Sequence, residues 1–558
     1  MIDTNIVNKP STNLKNTKIL LFILILLLSV FLRFYHLDNF LLWQDEAETG
    51  ILAEKIMKEG YPNGILNDKV MFTGRLKEKE CISDCTFLDP NKYDLSQVDY
   101  SDDGVLRYGS LSVLYLVSSS YFLFGISTLT TRLFPVIISI LSLIFLYKLS
   151  TLFYNYRVGL IAMLIHTINP IMINYERFAE YDSLSLFSFL STTYFIYLLL
   201  ASRKSKYILP SILSLTLLIY TNPIIALPII MLACIYAIYD FFFLKNNNIN
   251  YLLSVFFIVL ILCIPFLAFL LKFISVNPVF YTFSEYSNRI FSKLHILLFI
   301  SILTTGGYLV LIGLISSFFS KKKIVISLIF FSVLLSYLLF MPPAHPLDRI
   351  IIFTIPLFAI YSASTLSIIF SNRNYFLKIL GLVLLLIIML FPFLLSYPFL
   401  SVSNSEINVF KVTYETSYFG SPLNQYITAL INNKSPPIRF SSPWQQSGWV
   451  KEAILLLNKE GVSNEPIFVT HQNTVFNFYN RLNAELVWPI KETFFDQING
   501  RFWIILEPNK VQLEKICLWF NHDLELNDRC IKKNYKQRIE SCKETILMSG
   551  AKVYECNN

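Results

Sequence analysis

The sequence is poor in charge and in glycine. Only 15% of its 558 residues are charged and 17 are glycine, whereas 54% are hydrophobic and the mean hydropathy is +0.54. A typical soluble domain carries about 25% charged residues. This composition excludes an ordinary soluble protein and indicates a polytopic membrane protein.

Several catalytic motifs are missing as well. The sequence has no GxxxxGK[ST] phosphate loop, no HExxH and no GxSxG, and its six histidines are scattered. The bases do not form a stripe with exposed aromatic residues, so nucleic acid is not an expected partner. The familiar nucleotide-hydrolysing, zinc-protease and serine-hydrolase sites are therefore not expected.

Long apolar runs fill the first 400 residues. A helix needs roughly 20 apolar residues to cross a bilayer, and no such run follows Ser401. The first run keeps flanking bases and lacks a cleavage site, so it is predicted to be a retained anchor. The runs lie at residues 19–35, 109–125, 133–149, 158–173, 184–201, 208–222, 223–239, 251–273, 296–319, 324–341, 350–370 and 379–400.

Charge placement predicts the orientation of the chain. Residues 35–108 hold 15 acids against 8 bases, whereas the rest of the chain before Ser401 holds 7 acids against 21 bases. Lys and Arg favour cytoplasmic loops, so the N-terminus is predicted to be cytoplasmic and the tail extracytoplasmic. The bases assigned to the cytoplasm are Lys9, Lys15, Lys18, Lys148, Arg157, Arg203, Lys204, Lys206, Lys245, Lys321, Lys322, Lys323, Arg373 and Lys378.

One apolar run conflicts with this orientation. The chain should cross once between the outside loop 35–108 and the inside residue Lys148, yet two runs lie there. The stretch 108–125 contains five serines and three tyrosines, which favours a re-entrant or interfacial helix. The alternative is that the charge rule is overridden at one loop. The prediction is a bundle of about 11–13 membrane helices.

The tail differs from the rest of the chain. Helical periodicity over 447–462 and 510–522, and apolar strands at 466–470 and 501–506, predict an α/β module. The predicted domains are therefore a membrane domain, 1–400, with its first extracytoplasmic loop at 35–108, and an extracytoplasmic α/β domain, 401–558.

The cysteines fit an oxidising exterior. Cys81 and Cys85 lie in the first loop, and the tail holds four cysteines, Cys517, Cys530, Cys542 and Cys556. Even numbers in each outside region predict disulfides. A metal pair is the alternative for Cys81 and Cys85, and the tail allows three pairings.

Two acid-rich segments are predicted on the outer side. The stretch "LLWQDEAETGILAEKI" (41–56) carries Asp45 and Glu46, and "NYERFAEYDSLSL" (174–186) carries Asp182. Asp45 with Glu48 also fits a helix N-cap and capping box, a structural alternative that needs no chemistry. Acids at the membrane surface of a bundle are costly and often functional.

These segments carry a resemblance to a known family. "RFYHLDNFLLWQDEAETGILAEKIMKEGYP" (33–62) resembles the first exterior loop of GT-C glycosyltransferases, which include protein O-mannosyltransferases, lipid A aminoarabinose transferases and oligosaccharyltransferases. Similar stretches follow in order: "YGSLSVLYLVSSSYFLFGISTLTTRLFPVIISIL" (108–141), "NYERFAEYDSLSLF" and "PPAHPLDRIIIFTIPLF" (342–358). The late loop departs from many relatives, because Ile350 and not an aromatic residue follows Arg349.

The resemblance implies a fold and an activity. It implies a GT-C-like bundle that transfers a sugar from a polyprenyl-phosphate donor, such as a dolichyl phosphate, to a protein, lipid or surface-glycan acceptor, with inversion. Asp45 would be the general base, and Glu46 and Asp182 further catalytic acids. The cations implied for the phosphate are Arg177, His345 and Arg349, followed by Lys69, Arg75 and Arg107.

Other interpretations stay open at this point. A divalent cation, Mg²⁺ or Mn²⁺, held by Asp45 and Asp182 would suit two acids, but the sequence implies no certain cofactor. Arg177 could form surface ion pairs with Glu176 and Glu180, and His345 could be a solvated loop residue. A transporter or flippase of lipid-linked glycans and a non-catalytic polyprenyl-lipid-binding scaffold are the alternative functions.

Overall fold

The computed structural model describes most of the apolar helices and part of the tail. The described residues are 12–35, 37–38, 41–42, 44–62, 65–66, 69–70, 111–243, 248–276, 298, 301–302, 304–320, 323–340, 347–400, 448–463, 465–469, 473–480, 484–486, 500–506, 541–547 and 551–557.

The chain forms two compact units. The first comprises Met1–Leu37, Pro135–Leu270 and Val279–Tyr397, and the second Asp38–Phe134, Leu271–Pro278 and Pro398–Asn558. The predicted first loop and the tail thus belong to the same unit. The predicted domain boundary at residue 400 follows the membrane topology and stays a prediction.

The first unit is helical in its described parts. Its helices are α1 (Thr12–Phe34), α4 (Thr128–Phe153, from Pro135 onward), α5 (Tyr156–Ile168), α6 (Pro170–Arg177), α7 (Tyr181–Ser202), α8 (Ile208–Thr221), α9 (Pro223–Phe243), α10 (Asn248–Val276, up to Leu270), α11 (Tyr308–Phe318), α12 (Ile324–Phe340), α13 (Ile351–Ser371) and α14 (Tyr375–Leu400, up to Tyr397).

The described helices confirm the predicted helical membrane fold. Four segments, Asn16–Phe34, α4, α7 and α13, are long and apolar enough to cross a bilayer, and α5 with α6 makes a fifth if that bent pair is one span. Shorter apolar helices account for the other predicted runs in the described part of the chain. The run 109–125 forms α3 (Leu111–Phe124), whose 14 residues extend about 21 Å. The re-entrant or interfacial position favoured for this run from the sequence stays a prediction.

Helix α13 lies at the centre of the first unit. Nearly all of its side chains are buried, and it packs against α5 and α11. A Cβ on Gly313 of α11 would lie 2.2 Å from the carbonyl oxygen of Tyr361 in α13. Glycine therefore allows the two backbones to meet, as is common between membrane helices. In contrast, α1 exposes Leu20, Leu24 and Leu27 as a lipid-facing stripe.

The predicted span 158–173 is broken in the middle. Helix α5 ends at Ile168 and α6 begins at Pro170, with a bend of 67° between them. Proline cannot continue the α5 hydrogen-bond ladder. The Asn169 side chain accepts hydrogen bonds from the backbone N–H groups of Ile171 and Met172 and so caps α6. This break places the acid-rich segment 174–186 at the end of a short separate helix.

The second unit combines helices with a mixed sheet. Its described elements are α2 (Gln44–Glu59), β1 (Ile65–Leu66), β2 (Lys69–Val70), α3, the start of α4, α15 (Gly448–Lys459), β3 (Ile467–Val469), α16 (Asn473–Asn480), β4 (Ala484–Leu486), β5 (Arg501–Leu506), β6 (Lys543–Ile546) and β7 (Lys552–Asn557).

The tail sheet confirms the predicted α/β composition. Its strand order is β4-β3-β5-β7-β6. Strand β3 is parallel to β4 and β5, whereas β7 is antiparallel to β5 and β6. Ile467, Val469, Ile504 and Val553 fill its core. Helix α15 and strands β3 and β5 match the predicted elements, and the predicted helix 510–522 lies outside the described residues.

Within the described part of the tail, a disulfide joins Cys542 and Cys556. This bond belongs to one of the three pairings that the sequence allowed. Cys517, Cys530 and the predicted pair Cys81 and Cys85 lie outside the described residues. Cys234 and Cys263, which the sequence places within spans, are free thiols.

Candidate functional site

The first acidic segment opens helix α2. The helix begins at Gln44, so Asp45 and Glu46 lie in its first turn. Asp45 is therefore inside the helix and not at the N-cap position that the capping box required, because the helix starts earlier than the pattern indicated. Ala47, Ile51, Leu52 and Ile56 are all buried and form the apolar face of this helix. Asp45 remains partly exposed.

Glu46 forms a buried ion pair with Arg132 of α4. The Glu46 side chain is fully buried, and its two carboxylate oxygens accept hydrogen bonds from Arg132 Nε at 2.8 Å and Nη2 at 2.6 Å. Arg132 Nη2 also donates to the carbonyl oxygen of Leu41 at 3.0 Å. Such a two-point pair fixes direction as well as charge. The geometry therefore favours a role for Glu46 in holding the start of α2.

The tail reaches the same loop through Tyr479 of α16. The backbone N–H of Leu42 donates to the Tyr479 hydroxyl at 2.8 Å, and Thr128 Oγ1 lies 2.8 Å from that hydroxyl. Burial raises the pKa of Tyr479, so the hydroxyl stays protonated at neutral pH. One side chain thus joins the residues before α2, the start of α4 and the tail. Neither Arg132 nor Tyr479 was identified from the sequence.

Close packing reinforces this junction. A Cβ on Gly50 of α2 would lie 2.6 Å from Phe478 Cε2 and 2.9 Å from the Tyr121 hydroxyl. Tyr121 of α3 is buried, and its hydroxyl lies 2.6 Å from Thr131 Oγ1. Helices α2 and α16 therefore meet without space for a side chain at position 50.

The second acidic segment begins with a buried cluster of opposite charges. Glu176 of α6 accepts a hydrogen bond from Arg33 Nε at 2.9 Å and lies 2.8 Å from His166 Nε2. Arg33 Nη1 also donates to Ser29 Oγ at 2.8 Å. All three charged or titratable side chains are fully buried. The sequence identified Arg33 only as a base flanking the first span, and its partner lies 143 residues away.

Arg349 and Asp182, two predicted site residues, lie close together. Arg349 Nη1 is 3.5 Å from Asp182 Oδ1, Arg349 Nη2 donates to Glu180 Oε2, and the Arg349 guanidinium lies 4.3 Å from the centre of the Tyr181 ring. Asp182 is buried, being 2% exposed. Arg349 belongs to a 3₁₀ turn, Leu347–Ile350, just before α13. The segment 180–182 therefore holds this arginine from three sides.

The other predicted cations have different positions. Arg177 Nη2 donates to the backbone carbonyl of Tyr35 at 2.8 Å, and Glu176 and Glu180 are bonded to Arg33 and Arg349. Lys69 begins the short strand β2, and its side chain lies outside what the structure describes. His345, Arg75 and Arg107 lie outside the described residues.

The three predicted acids differ in burial and in their arginine partners. Glu46 and Asp182 are buried with an arginine, whereas Asp45 is partly exposed. A partly exposed carboxylate can accept a proton from a bound molecule. Among the described residues, no group of three or more His, Cys, Asp or Glu side chains could hold a metal ion. The predicted use of Asp45 and Asp182 as metal ligands stays a hypothesis.

Solved structures share this fold. ArnT from Cupriavidus metallidurans bound to undecaprenyl phosphate superposes with a TM-score of 0.57 and 12% identity, over 96% of this chain and 97% of that one. Archaeoglobus fulgidus AglB, an archaeal oligosaccharyltransferase in complex with an inhibitory peptide and a dolichol-phosphate, gives 0.53 and 12% identity, over 98% of this chain and 75% of that one. The predicted GT-C fold is thus confirmed.

A family model matches the centre of the membrane part. Residues 110–269 match the family described as dolichyl-phosphate-mannose-protein mannosyltransferase. This stretch includes Arg132, Glu176 and Asp182. No curated protein has a sequence that matches the chain. The family match and the shared fold agree with the resemblance to GT-C glycosyltransferases stated from the motifs.

Proposed function

We propose that this protein transfers a sugar from a polyprenyl-phosphate donor to an acceptor at the outer face of the membrane. The observation that carries the proposal is a fold shared over almost the whole chain with ArnT bound to undecaprenyl phosphate. The family match over residues 110–269 names a dolichyl-phosphate-linked donor. The acceptor class, protein, lipid or surface glycan, is left to the experiment.

Asp45 is the proposed general base. In a single inverting displacement, the acceptor oxygen or nitrogen bonds to the anomeric carbon, and the bond from that carbon to the phosphate oxygen breaks. The polyprenyl phosphate leaves with the bonding electrons, and the acceptor proton passes to a carboxylate. Of the three predicted acids, Asp45 is the one that is not fully buried. It therefore suits the proton transfer best.

Arg349 is the proposed cation for the leaving phosphate. Phosphate gains negative charge as the sugar departs, and a preorganised cation stabilises that charge. The carboxylates of Glu180 and Asp182 and the ring of Tyr181 hold the guanidinium in place. In this proposal Asp182 positions Arg349, and Glu46 positions the turn that carries Asp45 through Arg132.

The test is sugar transfer by the purified full-length protein from a panel of polyprenyl-phosphate sugars. Asp45→Asn should lower transfer by about 10²–10⁴-fold while the melting temperature stays close to that of the wild type. The matched control is Glu59→Gln, at the other end of α2, where the exposed carboxylate accepts a hydrogen bond from Lys55 at 3.1 Å. Equal transfer by wild type and Asp45→Asn would contradict the base assignment.

Two outcomes would favour the alternatives. Movement of a labelled lipid-linked glycan across a vesicle membrane without transfer would favour a transporter or flippase. Tight binding of polyprenyl phosphate with neither transfer nor donor hydrolysis would favour a non-catalytic scaffold.

A further inference from the structure

A cavity lies at the end of helix α13 opposite to Arg349. It is lined by the turn between α4 and α5, the residue before α12, and the last turns of α13. Arg349 precedes α13. The 21 residues of this helix extend about 31 Å, which is close to the thickness of a bilayer core. The lining residues are Tyr154, Asn155, Val158, Lys323, Ser364, Ser367, Ile368, Ser371 and Asn372.

Hydroxyl groups line one side of the cavity. Ser364, Ser367 and Ser371 follow one face of α13, at spacings of three and four residues. The Tyr154 hydroxyl is buried and lies beside the Ser364 hydroxyl. Burial raises its pKa to about 12, so it remains a donor at neutral pH. Ser364 Oγ donates to the Tyr361 carbonyl at 2.8 Å, and Ser371 Oγ donates to the Ser367 carbonyl at 2.6 Å. Because these hydroxyl protons are already engaged, the neighbouring bases would supply the main attraction for an anion.

Positive charge at this site has no acidic counterpart nearby along the chain. Lys323 Nζ lies 5.0 Å from the centre of the Tyr154 ring, and Arg157 Nη1 lies 3.5 Å from Ser371 Oγ. Residues 104–175, 286–347 and 349–400, which supply every lining residue, contain no Asp or Glu. Helices α5 and α12 begin at the cavity and α4 and α13 end there, so their dipoles oppose one another. Side chains therefore set the charge of the site.

We propose that this cavity binds the phosphate group of an anionic membrane lipid. Its volume of about 280 Å³ is near the lower end of the roughly 300–1,000 Å³ typical of drug-sized ligands, which suits a headgroup. The location at the helix ends, beside bases that charge placement assigns to the cytoplasm, favours a lipid over a soluble ligand. Basic pockets between membrane helices are known to hold such headgroups.

Native mass spectrometry of the full-length protein tests this site. Phosphatidylglycerol, phosphatidylcholine and inorganic phosphate are titrated separately. We expect phosphatidylglycerol to bind the wild type, and Lys323→Gln and Arg157→Gln each to weaken that binding by about tenfold, the effect of losing a charged hydrogen bond. The matched control is Lys206→Gln, an exposed base from another predicted cytoplasmic loop, with unchanged affinity.

The three titrations distinguish a lipid headgroup from free inorganic phosphate as the ligand of the cavity. Equal binding of phosphatidylglycerol by wild type, Lys323→Gln and Arg157→Gln would overturn the site, as would equal binding of phosphatidylcholine and phosphatidylglycerol. If inorganic phosphate alone binds as tightly as the lipid and with the same dependence on Lys323, the phosphate site stands and the lipid source is wrong. Because the readout is binding, none of these outcomes depends on the proposed transferase activity.

Discussion

The Tyr479 hydroxyl accepts a hydrogen bond from the backbone N–H of Leu42, although 437 residues separate the two in sequence. Leu42 lies three residues before Asp45, and the same hydroxyl contacts Thr128 at the start of α4. The tail thus holds the segment that leads into the acidic turn. This contact gives the tail a positioning role in the proposed reaction.

Replacing Tyr479 by phenylalanine should separate positioning from folding. The change leaves the Leu42 N–H without its partner, which costs about 1–3 kcal/mol for a buried group. We expect kcat for sugar transfer to fall by roughly tenfold or more, with little change in donor KM. Because the pKa of Tyr479 is raised by burial, this loss should be the same between roughly pH 6 and 9.

The matched control is Thr128→Val. This variant removes the second partner of the hydroxyl and keeps the bond to Leu42, so its kcat should stay closer to that of the wild type. If Tyr479→Phe only lowers the melting temperature and leaves kcat unchanged, the tail braces the fold without positioning the acidic turn.

The ion pair between Glu46 and Arg132 predicts a characteristic pattern of stability. Removing one partner of a buried pair leaves an uncompensated charge and costs about 3–5 kcal/mol, whereas replacing both with apolar residues is often neutral. We expect Arg132→Met to lower the melting temperature strongly and the double variant Glu46→Leu with Arg132→Met to recover most of it. Thermal unfolding of the wild type, of the single variants Glu46→Leu and Arg132→Met, and of the double variant forms a double-mutant cycle. Additive losses in that cycle would show that the pair makes no specific contribution.

Arg349 should not tolerate lysine. Its guanidinium contacts Glu180, Asp182 and the Tyr181 ring together, and a point-charge ammonium cannot reproduce this geometry. We expect Arg349→Gln to lower transfer by about 10²-fold, with Arg349→Lys between that variant and the wild type. The effect should be on transition-state stabilisation, measured as kcat/KM for the donor. Arg373→Gln, at the exposed end after α13, serves as the control, and an equal loss there would argue against a specific site.

Local patterns predicted the helices well, because apolar runs and charge placement are properties of neighbouring residues. The same patterns could not show that Arg33 is buried against Glu176, since the two lie on helices 143 residues apart. The break at Asn169 and Pro170 was readable in principle, because an Asn-Pro pair inside an apolar run is a helix start signal. The run was nevertheless interpreted as one span.

Motifs name the acids of the candidate site and one of its cations, and the roles of these residues stay a prediction. Arg349 and Asp182 were both proposed from motifs, and the structure brings them within 3.5 Å. Arg132 was missed because a lone arginine at the start of an apolar run looks like an interfacial flank. Tyr479 was missed because nothing in a tail helix of eight residues indicates a partner near residue 42. Strands β6 and β7 were missed because short strands depend on distant partners for their pairing.

The disulfide between Cys542 and Cys556 should stabilise the end of the tail sheet. It joins the residue before β6 to β7 and closes a loop with a sequence separation of 14, which corresponds to about 3 kcal/mol in the chain-entropy model. We expect the variant with both cysteines replaced by serine to be cleaved faster by protease within the β6–β7 hairpin. Cys234→Ser, which removes a free thiol from α9, is the control and should leave the cleavage rate unchanged. Reducing agent should speed cleavage within this hairpin in the wild type, and the double-serine variant should already be cleaved there at the faster rate without it. Cleavage of the double-serine variant at the wild-type rate would show that strand pairing alone holds β6 against β7.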